Sequence, residues 1–430
     1  MAKTNTKTMT FTKVFVVTIM IIAGIAASAA GFVAAGKILK LKPAKKLSNS
    51  AIIGQINPQC GVAINVADYL VDPTPTLPNQ YALPSQALAA AQITGDRNGD
   101  GLISICIHGG SAPNNQNVYT ESAKIFLDMA PWTVSQGTGT EPVRIFSDAG
   151  AELTRWTNPN DRVIEIMNTS PNTQPRLLRI NKIGFFNGHG AIVTSSSPGV
   201  KLLRFANDIF SDHVDVPAVW LGEQAKATIE NTSFASNRSS IGPSSILLTQ
   251  TADATLVSNI FSKNTSNEGT VVVSDSALIN DSQSVYRENL SIGPGYGGAA
   301  IALFDQAAYI SVNSSFIENA ATNSPSQGGA VVVGGDASLS CTGCLWQSNT
   351  ATVQGGALST FSTIGMNLTN NTFIGNQSGN GGAIDLANSY ATQHVITGGS
   401  FENNSAKNDG GAINGFYSSS IGVPVTGSVL

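Results

Sequence analysis

From about residue 185 to the C-terminus the apolar residues come in tight clusters. Examples are AVVV at 330–333, TVVV at 270–273, SILL at 245–248 and AVWL at 218–221. Between them lie runs of Gly, Ser, Asn, Asp and Thr, the residues that form turns. Short clusters rich in β-branched residues and bounded by turn formers predict strands, and no segment of this half has helical apolar spacing. Two markers recur along these strands. Gly-Gly-Ala plus an apolar residue starts at Gly297, Gly328, Gly355, Gly381 and Gly410, at intervals of 31, 27, 26 and 29 residues. An aromatic residue is followed three later by Asn in Phe234/Asn237, Phe261/Asn264, Tyr286/Asn289, Phe316/Asn319, Trp346/Asn349, Phe373/Asn376 and Phe401/Asn404. These aromatics recur at 27, 25, 30, 30, 27 and 28 residues. Two markers that share one period define a repeat architecture.

A unit of this length holds two or three short strands and their turns, which is one rung of an all-β, single-stranded parallel β-helix. An aromatic at a fixed place in each rung stacks on its neighbours and fills the core. The Asn is expected where the chain turns, tolerating the left-handed conformation and laddering between rungs. Eight aromatic positions from Phe210 to Phe401 imply about eight rungs, roughly 35–40 Å of stack at ~4.8 Å per strand. Residues 93–184 read as earlier, less regular rungs, with strands in LISICIHGG, PVRIFSDAG and DRVIEIMN. Pro84 opens a short helix, PSQALAAAQ, placed to cap the first rung. The expected organisation is a signal peptide or membrane anchor over 1–36, a linker and lead-in over 37–84, and the β-helix over 85–430, regular from about 185.

Charge adds an exclusion. Only 12% of the 430 residues are charged and the net charge is -4, with no basic patch in the folded region, so nucleic acid is not an expected partner. At the N-terminus Lys3, Lys7 and Lys13 precede an uncharged run from Val14 to Gly36. Ala27-Ser28-Ala29 suits signal cleavage, and the same run is long enough to stay as an anchor. The expected location is secreted or cell-surface, with membrane contact only through this segment, although Lys37, Lys40, Lys42, Lys45 and Lys46 after a retained anchor would favour keeping the repeats inside. Eleven Asn-x-Ser/Thr sequons fit that compartment, although several coincide with the Asn of the repeat. Of four cysteines, Cys60 and Cys106 are candidates to bridge the lead-in. Cys341 and Cys344 fall in one predicted strand, where residues three apart stand ~10 Å apart, too far for a disulfide unless the chain bends. A lone CxxC is also only half of a zinc site.

Candidate chemistry collects before the regular repeats. Gly188-His189-Gly190 echoes a short polygalacturonase motif, and Asp208, Asp212, His213 and Asp215 follow closely. The order of these motifs differs from that of polygalacturonases. His189-Gly190-Ala191-Ile192 also matches the repeat's own Gly-Gly-Ala-Ile. A second cluster, Asp96, Asn98 and Asp100 with Gly101, supplies positions 1, 3, 5 and 6 of a calcium loop. Its twelfth position is Ile107 where a bidentate Glu is expected, so a polar turn leading into the strand is the better account. No cofactor is expected beyond this partial calcium set.

The alternation of Gly-Gly-Ala-apolar with Phe-x-x-Asn over about 210–415 resembles the repeats of the polymorphic outer-membrane protein family. More broadly it is similar to right-handed β-helix proteins of the pectin-lyase-like superfamily. That resemblance implies a surface-exposed adhesin binding a polysaccharide or cell-surface ligand, with an oligomeric state the residues leave open. The function expected on this basis is non-catalytic adhesion or surface interaction. The alternative is a carbohydrate-active β-helix enzyme, of pectate lyase or polygalacturonase type, acting on acidic polysaccharide.

Overall fold

A computed structural model describes residues 67–415, apart from 77–79, 98–100, 133–142, 171–176, 195, 295–296, 324–325, 363 and 387–393. The expected signal or anchor segment, the basic linker, Cys60 and most of the lead-in lie outside these residues. The described chain winds into a parallel β-solenoid of right-handed type. Eleven described rungs each contribute a strand to three long sheets, the first sheet begins with two further strands, and rungs pair in parallel with the next rung along the coil.

The first sheet has thirteen strands and carries the longest ones, such as Lys201–Ala206 and Ala225–Glu230. The second has eleven and carries the aromatic column, in strands such as Ser233–Ala235 and Ile260–Ser262. The third, also eleven-stranded, carries the apolar clusters that follow Gly-Gly-Ala, such as Val271–Val273 and Val331–Val333. Six two-residue strands form a short fourth sheet directly after the repeated Asn. Helix Pro84–Thr94, two residues longer than expected, packs Ala87, Leu88 and Ala91 into the core at the first rungs. Among the described residues no helix is long and apolar enough to cross a membrane.

Three inward columns hold the coil together. The aromatics pair in register, Phe210 with Phe234, Phe234 with Phe261 and Phe261 with Tyr286. Their rings stack with centroids 4.2–5.4 Å apart from Phe185 to Phe401, and Trp156 extends the stack by one rung. The second column is the Asn ladder. The Asn264 side-chain oxygen accepts the backbone N–H of Asn237 at 3.0 Å and its Nδ2 at 3.1 Å, while Asn264 Nδ2 donates to the Phe234 carbonyl at 3.0 Å. The pattern repeats up to Asn404. Each carboxamide therefore satisfies buried backbone groups of the rung beneath it. The Asn is not itself the left-handed residue that the sequence suggests. That conformation belongs to the residue before it, in Ser236, Lys263, Glu288, Glu318 and Ser348. The carboxamide can then point inward, because the preceding residue makes the bend.

The third column, two residues before each aromatic, is mixed: Asp208, Thr232, Asn259, Ser284, Ser314, Cys344 and Asn371, all buried. Here the expectation for Cys341 and Cys344 is corrected. Gly343 takes φ +66° and turns the corner between two strands, bringing the Cα atoms to 6.1 Å, and the pair is disulfide-bonded. The rungs below place Ser311 with Ser314, and Asp281 with Ser284, at the same two positions. Asp281 accepts hydroxyl hydrogens from Ser284, Tyr286, Tyr309 and Ser314. Burial pushes its carboxyl up, and those four hydroxyls oppose the shift. Cys106 is also disulfide-bonded.

The Gly-Gly pairs have separate reasons. The first glycine turns at positive φ, +67° at Gly328 and +59° at Gly355. The second lies against the next rung, where a Cβ on Gly356 would sit 2.1 Å from the Gly382 carbonyl oxygen.

Across the five most regular rungs, length varies in one place only. In five consecutive rungs the third-sheet, first-sheet and aromatic positions follow at fixed steps, as in Val219, Lys226, Phe234 and again in Ile246, Asp253, Phe261. Val271, Leu278, Tyr286, then Ile301, Ala308, Phe316 and Val331, Ser338, Trp346 keep the same steps. All the difference falls between the aromatic and the next third-sheet strand. That step is 10 residues from Phe261 to Val271 and 15 from Tyr286 to Ile301.

Candidate functional surface

The residues singled out from sequence do not converge on one site. Asp208 and His213 point into the coil and are buried. Asp208 occupies the mixed column, where its carboxylate accepts the backbone N–H of Ile183 at 2.8 Å and of Ala206 at 2.9 Å. Burial pushes its carboxyl up to about 8 against the pull of those two N–H groups. His213 stands three after Phe210, in the place later rungs give to Asn. Its backbone N–H donates to the Asn237 side-chain oxygen at 3.1 Å, and its Nδ1 lies 3.3 Å from the Gly188 carbonyl. Burial holds the ring down to about 4, neutral at ordinary pH. Asp212 and Asp215 face outward at left-handed bends, with φ +60° and +64°. The Ser211 hydroxyl donates to Asp212 at 2.5 Å and the Ser240 hydroxyl to Asp215 at 3.3 Å. His189 is half-buried beside the bend glycine Gly190.

The calcium set is divided as well. Asp96 accepts the Gly101 N–H at 2.7 Å, while Asn98 and Asp100 lie outside the described residues. Among the described residues no group of three or more His, Cys, Asp or Glu could hold a metal ion.

Five sequons fall inside the coil, at Asn168, Asn237, Asn264, Asn289 and Asn376, and four of these are rungs of the Asn ladder.

What the fold does assemble is the outer face of the first sheet. Strand register places Arg144, Arg179 and Arg204 side by side, followed by Thr228, Thr255 and Asn280. The six form one straight outward column, five strand spacings or ~24 Å long at ~4.8 Å each. Beside its later half runs a shallow groove of about 410 Å³, lined by Leu202, Lys226, Thr228, Asp253, Thr255 and Asn280 among others. Lys226 and Asp253 are register neighbours. They are the only ionisable residues in its lining.

Arg204 donates through Nε to Glu230 at 3.0 Å, and its Nη2 adds a second contact. Arg144 and Arg179 have no carboxylate partner among the described residues, and the Nε of each is buried without a hydrogen bond. Burial lowers the Arg179 guanidinium, with Arg204 and Arg144 adding to the effect and Glu230 opposing it. Sequence reading missed this column because its members are 35 and 25 residues apart, and the first of these steps lies outside the repeat period. The available signal was the triplet apolar-Arg-apolar, in Val143-Arg144-Ile145, Leu178-Arg179-Ile180 and Leu203-Arg204-Phe205.

A larger recess of about 780 Å³ is lined by Asp275, Asp305 and Asp336 with Ser276, Gln306, Gly335 and Phe361. Two of its carboxylates hold backbone: Asp275 accepts the Gln250 N–H at 2.7 Å, and Asp305 accepts the Asp275 N–H at 3.2 Å. Away from both surfaces His108 Nδ1 lies 2.8 Å from Asp148, with the histidine half-exposed.

Comparison with known proteins gives a parallel β-solenoid class and no closer identity. No family model and no curated protein matches the chain, so the resemblance to polymorphic outer-membrane protein repeats rests on its residues alone. Among solved structures the chain is similar to the catalytic domain of a GH87 alpha-1,3-glucanase in complex with nigerose. The identity is 12% and the TM-score 0.49, with 85% of this chain and 70% of that chain covered. A substituted form of such a domain, in complex with tetrasaccharides, matches at 12% identity and TM-score 0.48 over the same shares. Likeness at this level transfers no residue role. The expected non-catalytic adhesion role is set aside: the similar solved chains are carbohydrate-enzyme catalytic domains and none is an adhesin.

Proposed function

We propose that this protein is a carbohydrate-active β-solenoid that holds a polysaccharide along the outer face of its first sheet. The observation that carries the reading is the straight column of outward polar side chains, Arg144 to Asn280, with the groove beside it. A polymer is matched by a repeating surface. Parallel rungs present hydroxyl, amide and charged groups at a regular ~4.8 Å step, and an extended chain can engage several at once. Leu202 and Leu278 give the groove apolar floor for sugar C–H faces, while Thr228, Thr255 and Asn280 offer donors and acceptors for sugar hydroxyls. Any proton transfer by residues lining the groove runs through Lys226 and Asp253.

The test is a polysaccharide panel, neutral and acidic, read by affinity electrophoresis and by release of reducing or unsaturated ends. The expected result is retardation by at least one polymer, weakened by Thr255→Ala combined with Asn280→Ala. Turnover, where seen, should be lost in Asp253→Asn. Retardation by no polymer, or unchanged binding by the groove double variant, overturns the reading.

A further inference from the structure

We infer that Arg144, Arg179 and Arg204 form a subsite for the acidic groups of an anionic polysaccharide, at one end of the polar column. The inference rests on the polysaccharide reading above and adds the substrate class. Three guanidinium groups in direct register, one strand spacing apart, repel one another. A fold that needed only their aliphatic stems over the sheet would be served by Met or Leu, and the next two positions of the column carry Thr.

The internal counter-charge is incomplete. Among the described residues Glu230 hydrogen-bonds Arg204 and reaches Arg179 only through its charge. Among the described residues the Nε atoms of Arg144 and Arg179 are out of water and find no acceptor. Buried donors of this kind are the exception in folded proteins, and an anion that accepted from them would complete both. A guanidinium presents two parallel N–H groups to a carboxylate or sulfate, and two adjacent arginines suit acidic groups carried along one polymer.

Bulk attraction does not account for such binding, because the chain has a net charge of -4. The attraction is local to this face. The same column continues into Thr228, Thr255 and Asn280, so one extended chain would pass from the arginines into the groove. Nucleic acid shares the anionic charge, but no aromatic side chain lines the groove for base stacking.

The experiment compares the wild-type protein with Arg144→Met/Arg179→Met, which keeps the buried stems, and with Arg287→Met, a control on an exposed second-sheet position. Each protein is titrated with polygalacturonate, dextran sulfate and neutral dextran at two salt concentrations, after thermal melting has shown that all three fold. The expected result is tenfold or greater loss of acidic-polymer affinity in the double variant, with a shallower salt dependence and unchanged neutral-polymer binding. Arg287→Met should bind as wild type. The polygalacturonate and dextran sulfate arms tell carboxylate from sulfate recognition. Wild-type binding that is equally strong for neutral and acidic polymers overturns this subsite and leaves the polysaccharide reading standing. Unchanged acidic binding in the double variant, or equal loss in Arg287→Met, also overturns it. Binding of no polymer by any of the proteins overturns both.

Discussion

Asp208 offers the sharpest test of how this coil is held together. Its carboxyl is buried in a column that other rungs fill with neutral groups, and its folded-state pKa is raised from 3.8 to about 8. At 1.36 kcal/mol per pH unit, ionising it inside the coil costs on the order of 5 kcal/mol. Because the folded value is the higher one, its contribution to stability is full below about pH 3.8. That contribution falls as pH rises, by up to ~1.4 kcal/mol per pH unit, and levels off above about 8. His213 works in the opposite sense. Its folded value is depressed to about 4, so its contribution is full above about pH 6.5 and is lost as pH falls towards 4.

Between pH 6.5 and 8 only the Asp208 slope remains of these two, about 2 kcal/mol in all. Asp208→Asn should abolish it. Asn already fills this column in Asn259 and Asn371, where the amide donates to the Ile229 and Cys341 carbonyls. The substitution removes the acceptor for the Ala206 N–H, costing about 1–3 kcal/mol. The variant should therefore be the less stable at pH 4.5 and the more stable at pH 8.5. Urea midpoints at several pH values, followed by fluorescence of buried Trp156 and Trp346, give the comparison, and other titrating groups cancel in the difference. A variant whose midpoint falls between pH 6.5 and 8 as steeply as wild type refutes the reasoning, as does one less stable than wild type at pH 8.5.

Two further outcomes follow from the columns. Asn289→Ala removes the acceptor of Asn264's backbone N–H and the donor to the Phe261 carbonyl, and should destabilise by roughly 3–5 kcal/mol in thermal melts, well beyond an exposed Asn280→Ala. Cys341→Ser/Cys344→Ser should lose only about 2 kcal/mol in urea unfolding and keep its fold, since the bridge closes a very short loop and Ser311 and Ser314 occupy the same positions one rung below. Collapse of the fold on that substitution would show that the bridge does more than the column's serines do.

The inward half of this structure was legible because each inward position repeats. Phe234, Phe261 and Tyr286 announce their own register, and pairing then follows for the whole rung. Legibility failed where a column changes its residue type. Trp156 and Phe185 belong to the stack but lack the Asn three later, and His213 hides the ladder position behind an ionisable side chain that invites a catalytic reading. The bend at Gly343 was unreadable for the same reason, because its column is Lys182, Asn207, Asn231, Ser258 and Gln283 in earlier rungs and only the positive φ is constant. Outward columns carry no packing constraint to enforce a period. Arg144, Arg179 and Arg204 become neighbours only once strand pairing is known.

The single variable step in the regular rungs has a consequence for how such a chain can change. In the five regular rungs the spacing from the third sheet through the first to the aromatic column is fixed, as in Val271, Leu278 and Tyr286, because side chains on both flanks lock into the rungs above and below. There extra residues enter after the Asn ladder, as they do between Tyr286 and Ile301, and outside these rungs they also enter between the third and first sheets, as from Ile192 to Leu202 and from Ile384 to Val395. The first sheet keeps a constant step of six residues to the aromatic column from the Arg179 rung onward, as in Arg179 to Phe185 and Arg204 to Phe210, so insertions spare that flank. Its chemistry can be altered one side chain at a time while other corners gain or lose loop, so ligand choice and loop decoration are free to evolve separately.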